Sequence, residues 1–212
     1  MEFKLDEERV QFLVRTDKKL AKLITCIGDV NLEVEEDGFQ CIVKYIVGQQ
    51  ISDKARETIW QRLCGFDEKL TPAGIDSLPE EELRSIGLSG RKVECIKNFS
   101  KCLVEKEVEL KKLQCLPNEE IIDRLTSVRG IGRWTAEMYI IFSLGRVNVL
   151  SKGDGTIRRS IRWMYNLETL PNASELIYYF NKWKGYETIV SAYLWKSSEL
   201  GLQQNSFDDI FY

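Results

Sequence analysis

The sequence predicts an all-α protein, and three observations support this fold class. Apolar residues recur three and four positions apart along most of the 212-residue chain, as at Phe39, Ile42, Val43 and Ile46. Residues typical of helix ends separate these runs. The one extended-looking stretch is VNVL at 147–150, and no second strand is evident to pair with it. About ten helices are therefore expected.

The individual helices follow from the apolar spacing in chain order. After the run that begins at Phe39, the same period recurs seven times, at Ile59 and Leu63; Leu83 and Ile86; Val93, Ile96, Phe99 and Leu103; Ile121, Ile122 and Leu125; Ile157, Ile161 and Met164; Leu176, Tyr179, Phe180 and Trp183; and Ile189, Ala192 and Tyr193. Boundary signals fit these runs. Ser52 and Asn118 are candidate N-caps, and residues 77–80 (SLPE) resemble a capping box.

Composition excludes several classes of protein. No run of 18 apolar residues occurs, and the N-terminus lacks a signal-peptide pattern, so an intracellular protein without membrane association is expected. Six cysteines occur without a CxxC step, which favours free thiols over a zinc or iron–sulfur site, and no cofactor is expected. The chain has no histidine, so acid–base or charge-stabilising chemistry is left to carboxylates or water.

Charge is unevenly distributed. The net charge is −3, yet residues 129–162 carry seven basic side chains against Glu137 and Asp154, a local charge of +5 on a remainder of −8. A basic face on an acidic body fits a nucleic-acid partner held by a few phosphate contacts. The alternative is an ordinary solvated helix face.

A glycine turn at Gly130-Ile131-Gly132 separates two helical runs. Glycine permits φ > 0 and lets a phosphate approach the backbone without meeting a Cβ, while the unpaired N–H groups of the second helix favour an anion. Ile131 is expected to point inward and lock the turn. As an isolated string, the same pattern is also typical of an ordinary helix–helix connection.

Asp154 is an isolated acid about twenty residues further on, before GTIRRSIRW. A fixed carboxylate can stabilise an oxocarbenium-like transition state or orient an attacking water. Aspartate at this position also suits an N-cap. The two roles are compatible, because capping fixes the direction of the carboxylate and favours its charged form.

Five separated motifs lie along the chain: YIVGQQISDKA (45–55), IGLSGRKVECIKNFS (86–100), VRGIGRWTA (128–136), NVLSKGDGTIRR (148–159) and WKGYETIVSAYLW (183–195). In order and spacing they resemble the motifs of the HhH-GPD superfamily of DNA glycosylases. The resemblance implies two helical lobes with a cleft between them and a helix-hairpin-helix at 118–144. One lobe would comprise 1–37 plus 155–212, and the other 38–154, ending at the catalytic acid.

The resemblance also implies site residues. Asp154 is the expected catalytic group, Gln50 the side chain that fills the vacated base stack, and Lys152 a DNA contact. Further expected DNA contacts lie in the hairpin and beside Gln50, at Gly130, Ile131, Gly132, Arg133, Thr135 and Ser52. The base pocket would be formed by Trp134, Met138 and Tyr186. Arg129 stands where the family usually has proline, and it is expected to add a phosphate contact.

Within the superfamily, the alkylated-base branch typified by bacterial 3-methyladenine DNA glycosylase II is most similar. Trp134 occupies the position where bifunctional relatives carry a lysine, so the resemblance implies hydrolysis of the N-glycosidic bond of alkylated purines without strand cleavage. The implied partner is double-stranded DNA with a damaged base, bound by a monomer in the bacterial cytoplasm. Alternatives are excision of oxidised or deaminated bases, a non-catalytic helix-hairpin-helix DNA-binding protein, and an all-α interaction module without a DNA role.

Overall fold

The computed structural model of the protein describes residues 1–66 and 70–210, except for the side chain of Asp53. Fourteen α-helices lie in this part of the chain, which confirms the all-α prediction. The first seven are α1 (Glu8–Thr16), α2 (Lys18–Ile27), α3 (Gly38–Gly48), α4 (Asp53–Cys64), α5 (Pro72–Ser77), α6 (Glu80–Ser85) and α7 (Gly90–Val104). The others are α8 (Leu110–Leu113), α9 (Asn118–Thr126), α10 (Arg133–Phe142), α11 (Gly155–Tyr165), α12 (Ala173–Phe180), α13 (Glu187–Glu199) and α14 (Phe207–Ile210).

Smaller elements complete the described chain. Two 3-10 turns lie at Asn181–Trp183 and Leu202–Gln204. Two-residue strands, β1 (Glu2–Phe3) and β2 (Val30–Asn31), pair antiparallel. More helices occur than the ten expected. Helices α5, α8 and α14 span only four to six residues, too few to repeat the helical period, whereas the run at Leu83 and Ile86 does predict the short α6.

The chain divides into two compact units. One comprises Met1–Val34 with Gly145–Tyr212, and the other Glu35–Leu144. The expected boundaries differ from these mainly at 145–154, which lies with the chain termini instead of with the hairpin. Hydrogen bonds explain this placement, because Thr188 in α13 donates its N–H to Val147 O at 2.9 Å and accepts from Val149 N–H at 3.1 Å. The VNVL segment is thus held by a helix start, and it is not a strand.

The terminal unit has its own hydrophobic core. Helices α2, α11 and α13 pack on one another, and Trp183, Tyr193 and Phe180 are among its largest buried side chains. A polar cluster joins distant segments of this unit. The buried Asp17 carboxylate caps α2 and accepts hydrogen bonds from the Tyr165 hydroxyl and from Lys182 Nζ, the latter at 3.0 Å.

The middle unit is built on α3, α7 and α10. Helix α10 packs against both α3 and α9, while α7 packs against α5. Phe39 and Phe99 stack with ring centroids 5.7 Å apart in the interior. No helix in the described ranges, 1–66 and 70–210, is both long and apolar enough to cross a membrane.

The helix caps in the structure agree with some of the predicted helix boundaries and not with others. Ser52 is confirmed as an N-cap, since its Oγ accepts from Ala55 N–H at 3.3 Å. The capping box at 77–80 is wrong, because Ser77 is the last residue of α5 and Pro79 occupies the N-cap of α6. Asn118 is the first residue of α9 and follows Pro117 at the N-cap. The chain does contain a capping box, at Asn172 and Glu175.

Candidate functional site

The predicted helix-hairpin-helix lies in the middle unit. Helix α9 ends at Thr126, and α10 begins at Arg133, directly after the glycine turn. Ile131 is buried, and its N–H donates to Val128 O at 3.0 Å. The expectation that Ile131 points inward is therefore confirmed.

The two glycines of the turn have different roles. Gly130 has φ of +100°, and a Cβ added there would lie 2.7 Å from both Cβ and Sγ of Cys95 in α7. Gly132 has φ of −91°, and an added Cβ would meet no atom within 4 Å. Glycine permits positive φ at both positions, but only Gly130 adopts it. Because Gly132 has no side chain, the space in front of the first turn of α10 is open.

The start of α10 has the character of an anion site. Gly132 is the N-cap and provides no side-chain hydrogen bond to the first turn of the helix. The first N–H groups of a helix lack intrahelical acceptors and carry partial positive charge. Because the approach to Gly132 is open, a phosphate oxygen can reach these groups.

Hydrogen bonds join the segment at 45–55 to the hairpin and to the start of α7. The Gln49 side-chain amide, after α3, donates to Thr135 Oγ1 at 3.0 Å. Lys92 Nζ, at the start of α7, donates to Val47 O at 2.8 Å, and burial lowers the Lys92 pKa. Thr135 itself is buried, so its side chain positions the end of α3 and does not face solvent, contrary to its expected role as a direct DNA contact.

The segment after α3 forms an exposed tip. Gln50 is exposed and has φ of +56°, a left-handed conformation that is uncommon for a residue with a side chain. Ile51 beside it is also exposed, and Ser52 caps α4. Gln49 and Ser52 thus anchor both sides of the two residues that project. This placement suits the expected role of Gln50 as the residue that enters the DNA stack.

The two hairpin arginines differ in their partners. Arg129 has an 81% exposed side chain and lies 3.0 Å from the Glu94 carboxylate. Arg133 contacts Glu119 at 2.6 Å and Glu137 at 2.9 Å, and hydrogen bonding to Glu119, followed by its charge and by Glu137, raises the Arg133 pKa. Glu137 is only 2% exposed. Arg133 therefore forms an ion pair with a buried carboxylate, whereas Arg129 pairs with a carboxylate at the surface.

Asp154 lies in the terminal unit and caps α11. Its Oδ1 accepts from the N–H groups of Thr156 and Ile157, both at 2.9 Å, and from Trp195 Nε1 at 3.3 Å. The residue is 8% exposed. The capping role is therefore confirmed, and three donors fix the direction of the carboxylate. Sequence reasoning missed the contact with Trp195, because 41 residues separate the pair and no local pattern links them.

The expected pocket residues divide between the units. In the middle unit, Trp134 is half-buried with its ring edge-on to Tyr45 at 5.8 Å, and Met138 is buried. In the terminal unit, Tyr186 is half-buried and packs edge-on against Phe12 at 5.4 Å. Neither Tyr45 nor Phe12 was expected from sequence. Met138 is packed in the interior and has almost no exposed surface with which to line an open base pocket.

Lys152 lies close to Asp154 in sequence, and the six cysteines are not bonded to one another. Lys152 is half-buried, two positions before Asp154. All six cysteines are free thiols, and burial raises the pKa of Cys41 to about 12 and that of Cys95 to about 11. Within the described ranges, no group of three or more Cys, Asp or Glu side chains is arranged to hold a metal ion.

Comparison with known proteins shows the family of this chain. A family model, the HhH-GPD superfamily base excision DNA repair protein, matches residues 43–185. DNA-3-methyladenine glycosylase 1 of Schizosaccharomyces pombe is 30% identical over 187 residues, which cover 86% of this chain and 82% of that protein.

Two solved structures are similar over nearly the whole chain. A DNA-3-methyladenine glycosidase from Bacillus halodurans aligns with a TM-score of 0.85 and 32% identity, covering 99% of this chain and 98% of that one. The S. pombe 3-methyladenine DNA glycosylase Mag1, solved in complex with abasic DNA, aligns with a TM-score of 0.86 and 28% identity, covering 91% and 97%.

Proposed function

Because the chain belongs to the HhH-GPD superfamily of base excision DNA repair proteins, we propose that it removes alkylated purines of the 3-methyladenine type from duplex DNA. The reaction is hydrolysis of the N-glycosidic bond, which leaves an abasic site. The observation that carries this proposal is the Asp154 carboxylate, held by two backbone N–H groups and the Trp195 indole. The relatives named for 3-methyladenine support the choice of base.

The chemistry requires one well-placed negative charge. The alkylated nucleoside carries a positive charge, so its base departs as a neutral molecule and the positive charge passes to the deoxyribose. Water then adds at C1′ and loses its proton to solvent. Opposite unit charges about 4 Å apart at an effective dielectric near 20 attract by about 4 kcal/mol. That energy corresponds to roughly a thousandfold in rate. An alkylated purine is already a good leaving group, so a site without a strong general acid is sufficient.

The DNA is held through its backbone in this proposal. The open N-terminus of α10 beyond Gly132 takes a phosphate, and Arg129 adds a cation beside the turn. A base must leave the helix before its sugar can be attacked. The exposed Gln50, projecting between two anchored neighbours, fills the space that the base vacates.

Strand cleavage does not follow base removal in this proposal. A lyase step needs an amine that attacks C1′ of the sugar to form a Schiff base. Trp134 stands at the hairpin position where the resemblance places that amine, and an indole cannot perform this step. The product is therefore an intact strand with an abasic site.

A panel of duplexes tests the proposal. Each duplex carries one alkylated, oxidised or deaminated base, and abasic sites are scored in single turnover by alkaline cleavage, with untreated samples as the control for lyase activity. Release of the alkylated base, with strands cut only after alkali, is the expected result. Release of an oxidised or deaminated base alone would overturn the substrate assignment, and no release with retained DNA binding would favour a non-catalytic DNA-binding protein.

A further inference from the structure

The two hairpin arginines provide one inference beyond the proposed function, on which it rests. Arg129 precedes the phosphate-accepting turn directly, and its guanidinium Nη2 lies 3.0 Å from Glu94 Oε1. We propose that Glu94 sets the strength of DNA binding by competing with a DNA phosphate for Arg129. Glu94 is thus a positioning residue for the hairpin and touches no substrate.

Glu94 is well placed for this role. Its neighbour in α7, Cys95, is the residue against which Gly130 packs, so the segment that carries Glu94 is fixed beneath the turn. The Glu94 side chain is 49% exposed, and that of Arg129 81% exposed. Surface pairs of this kind are worth only about 0–1 kcal/mol. A phosphate, which can accept two parallel hydrogen bonds from the guanidinium, therefore displaces Glu94 without disturbing the fold.

Arg133 serves as the internal contrast. Its guanidinium also contacts an exposed acid, Glu119, but its Nε donates to Glu137, which is 2% exposed. Full transfer of Arg133 to a phosphate would take this cation away from a buried carboxylate, which is unfavourable. Of the two arginines, Arg129 exchanges partners when DNA binds, and Arg133 remains with Glu137.

The Glu94–Arg129 pair is expected to limit the affinity of the protein for undamaged DNA. A cation already neutralised by Glu94 gains less from meeting a phosphate than an unpaired cation would. Non-specific binding is thereby weakened, and an enzyme that must inspect many sites and leave its product benefits from faster release. Glu94 thus lowers the affinity for DNA and speeds the release of undamaged sites and product.

The test measures binding of an undamaged duplex over 50–200 mM salt. Glu94→Gln is expected to tighten binding about two- to fivefold, and Arg129→Gln to reduce the slope of log K against log salt by about 0.9. In the Arg129→Gln background, Glu94→Gln is expected to have no more effect than a control substitution. Glu105→Gln is the matched control, because it removes the same charge from the other end of α7, about 16 Å away and beyond a Debye length of about 8 Å.

Several outcomes would overturn the inference. An equal gain from Glu94→Gln with and without Arg129 would mean that only overall charge matters. An unchanged affinity in all variants, with wild type bound to DNA, would show that Arg129 makes no phosphate contact. Arg133→Gln with a reduced salt slope and unchanged stability would remove the distinction between the arginines. Absence of DNA binding by the wild type would instead refute the proposed function itself.

Discussion

The hairpin glycines allow stability to be separated from DNA binding by two matched substitutions. Gly130→Ala forces a Cβ to within 2.7 Å of Cys95 at a residue with φ of +100°. The unfavourable backbone conformation costs about 1–2 kcal/mol, and overpacking against α7 costs about 1–3 kcal/mol more. A loss of about 2–5 kcal/mol is thus expected, a large part of the 5–15 kcal/mol typical of a folded domain.

Gly132→Ala is the matched control. This residue has φ of −91° and no atom within 4 Å of an added Cβ, so its substitution should leave stability nearly unchanged. The new methyl group would instead stand where the phosphate approaches the start of α10. We therefore expect weaker DNA binding from a normally folded protein.

Urea unfolding and duplex binding measure the two effects separately. The first reports the free energy of unfolding for each variant, and the second the dissociation constant under conditions where both variants are folded. Cys95→Gly is a further check, because it removes the atoms nearest the new Cβ. The Gly130→Ala substitution should therefore cost less stability in the Cys95→Gly background than in wild type. A Gly130→Ala protein as stable as wild type, or a Gly132→Ala protein that unfolds easily, would refute this account of the turn.

Three further predictions concern single side chains. Hydrogen bonds from Tyr165 and Lys182 outweigh burial and lower the Asp17 pKa, so its contribution to stability is present above the unfolded value near 3.8 and is lost as pH falls through the folded value. Asp17→Asn should lower the free energy of unfolding by about 1–3 kcal/mol at pH 7. It should also weaken the dependence of that free energy on pH in the acid range, and an unchanged pH dependence would contradict this. Buried Cys95, with a pKa raised to about 11, should resist alkylation at pH 8 while exposed Cys26 reacts, as mass spectrometry would reveal; equal rates would argue against the packing. Trp195→Phe removes the indole hydrogen bond to Asp154 and should slow base release about tenfold with unchanged DNA affinity, and an unchanged single-turnover rate would exclude a positioning role.

The fold class could be predicted from sequence because long amphipathic helices repeat their period several times. Helix α7, with Val93, Ile96 and Phe99 on its buried face, is an example. Helices of four residues, such as α8 and α14, give no such signal. The pattern at Ser77 is ambiguous, because a serine can end one helix as readily as it can begin another. Propensity alone does not decide between these two positions.

The site was predictable where its chemistry is local. The cap at Asp154 and the turn at Gly130 each lie within a few residues of what they act on. Long-range contacts were not predictable, among them Glu94 with Arg129, Gln49 with Thr135, and Trp195 with Asp154. Each depends on how separate helices pack, and spacing along the chain carries no information about that.

The most direct test of the account is single-turnover release of 3-methyladenine by Asp154→Asn, compared with wild type under conditions where both are saturated with DNA. Asparagine keeps an oxygen for the Thr156 and Ile157 N–H groups, so the cap persists while the negative charge is lost. Base release about a thousandfold slower, with unchanged stability and DNA affinity, is the predicted result. Release at the wild-type rate would show that Asp154 only caps α11 and does not take part in the reaction.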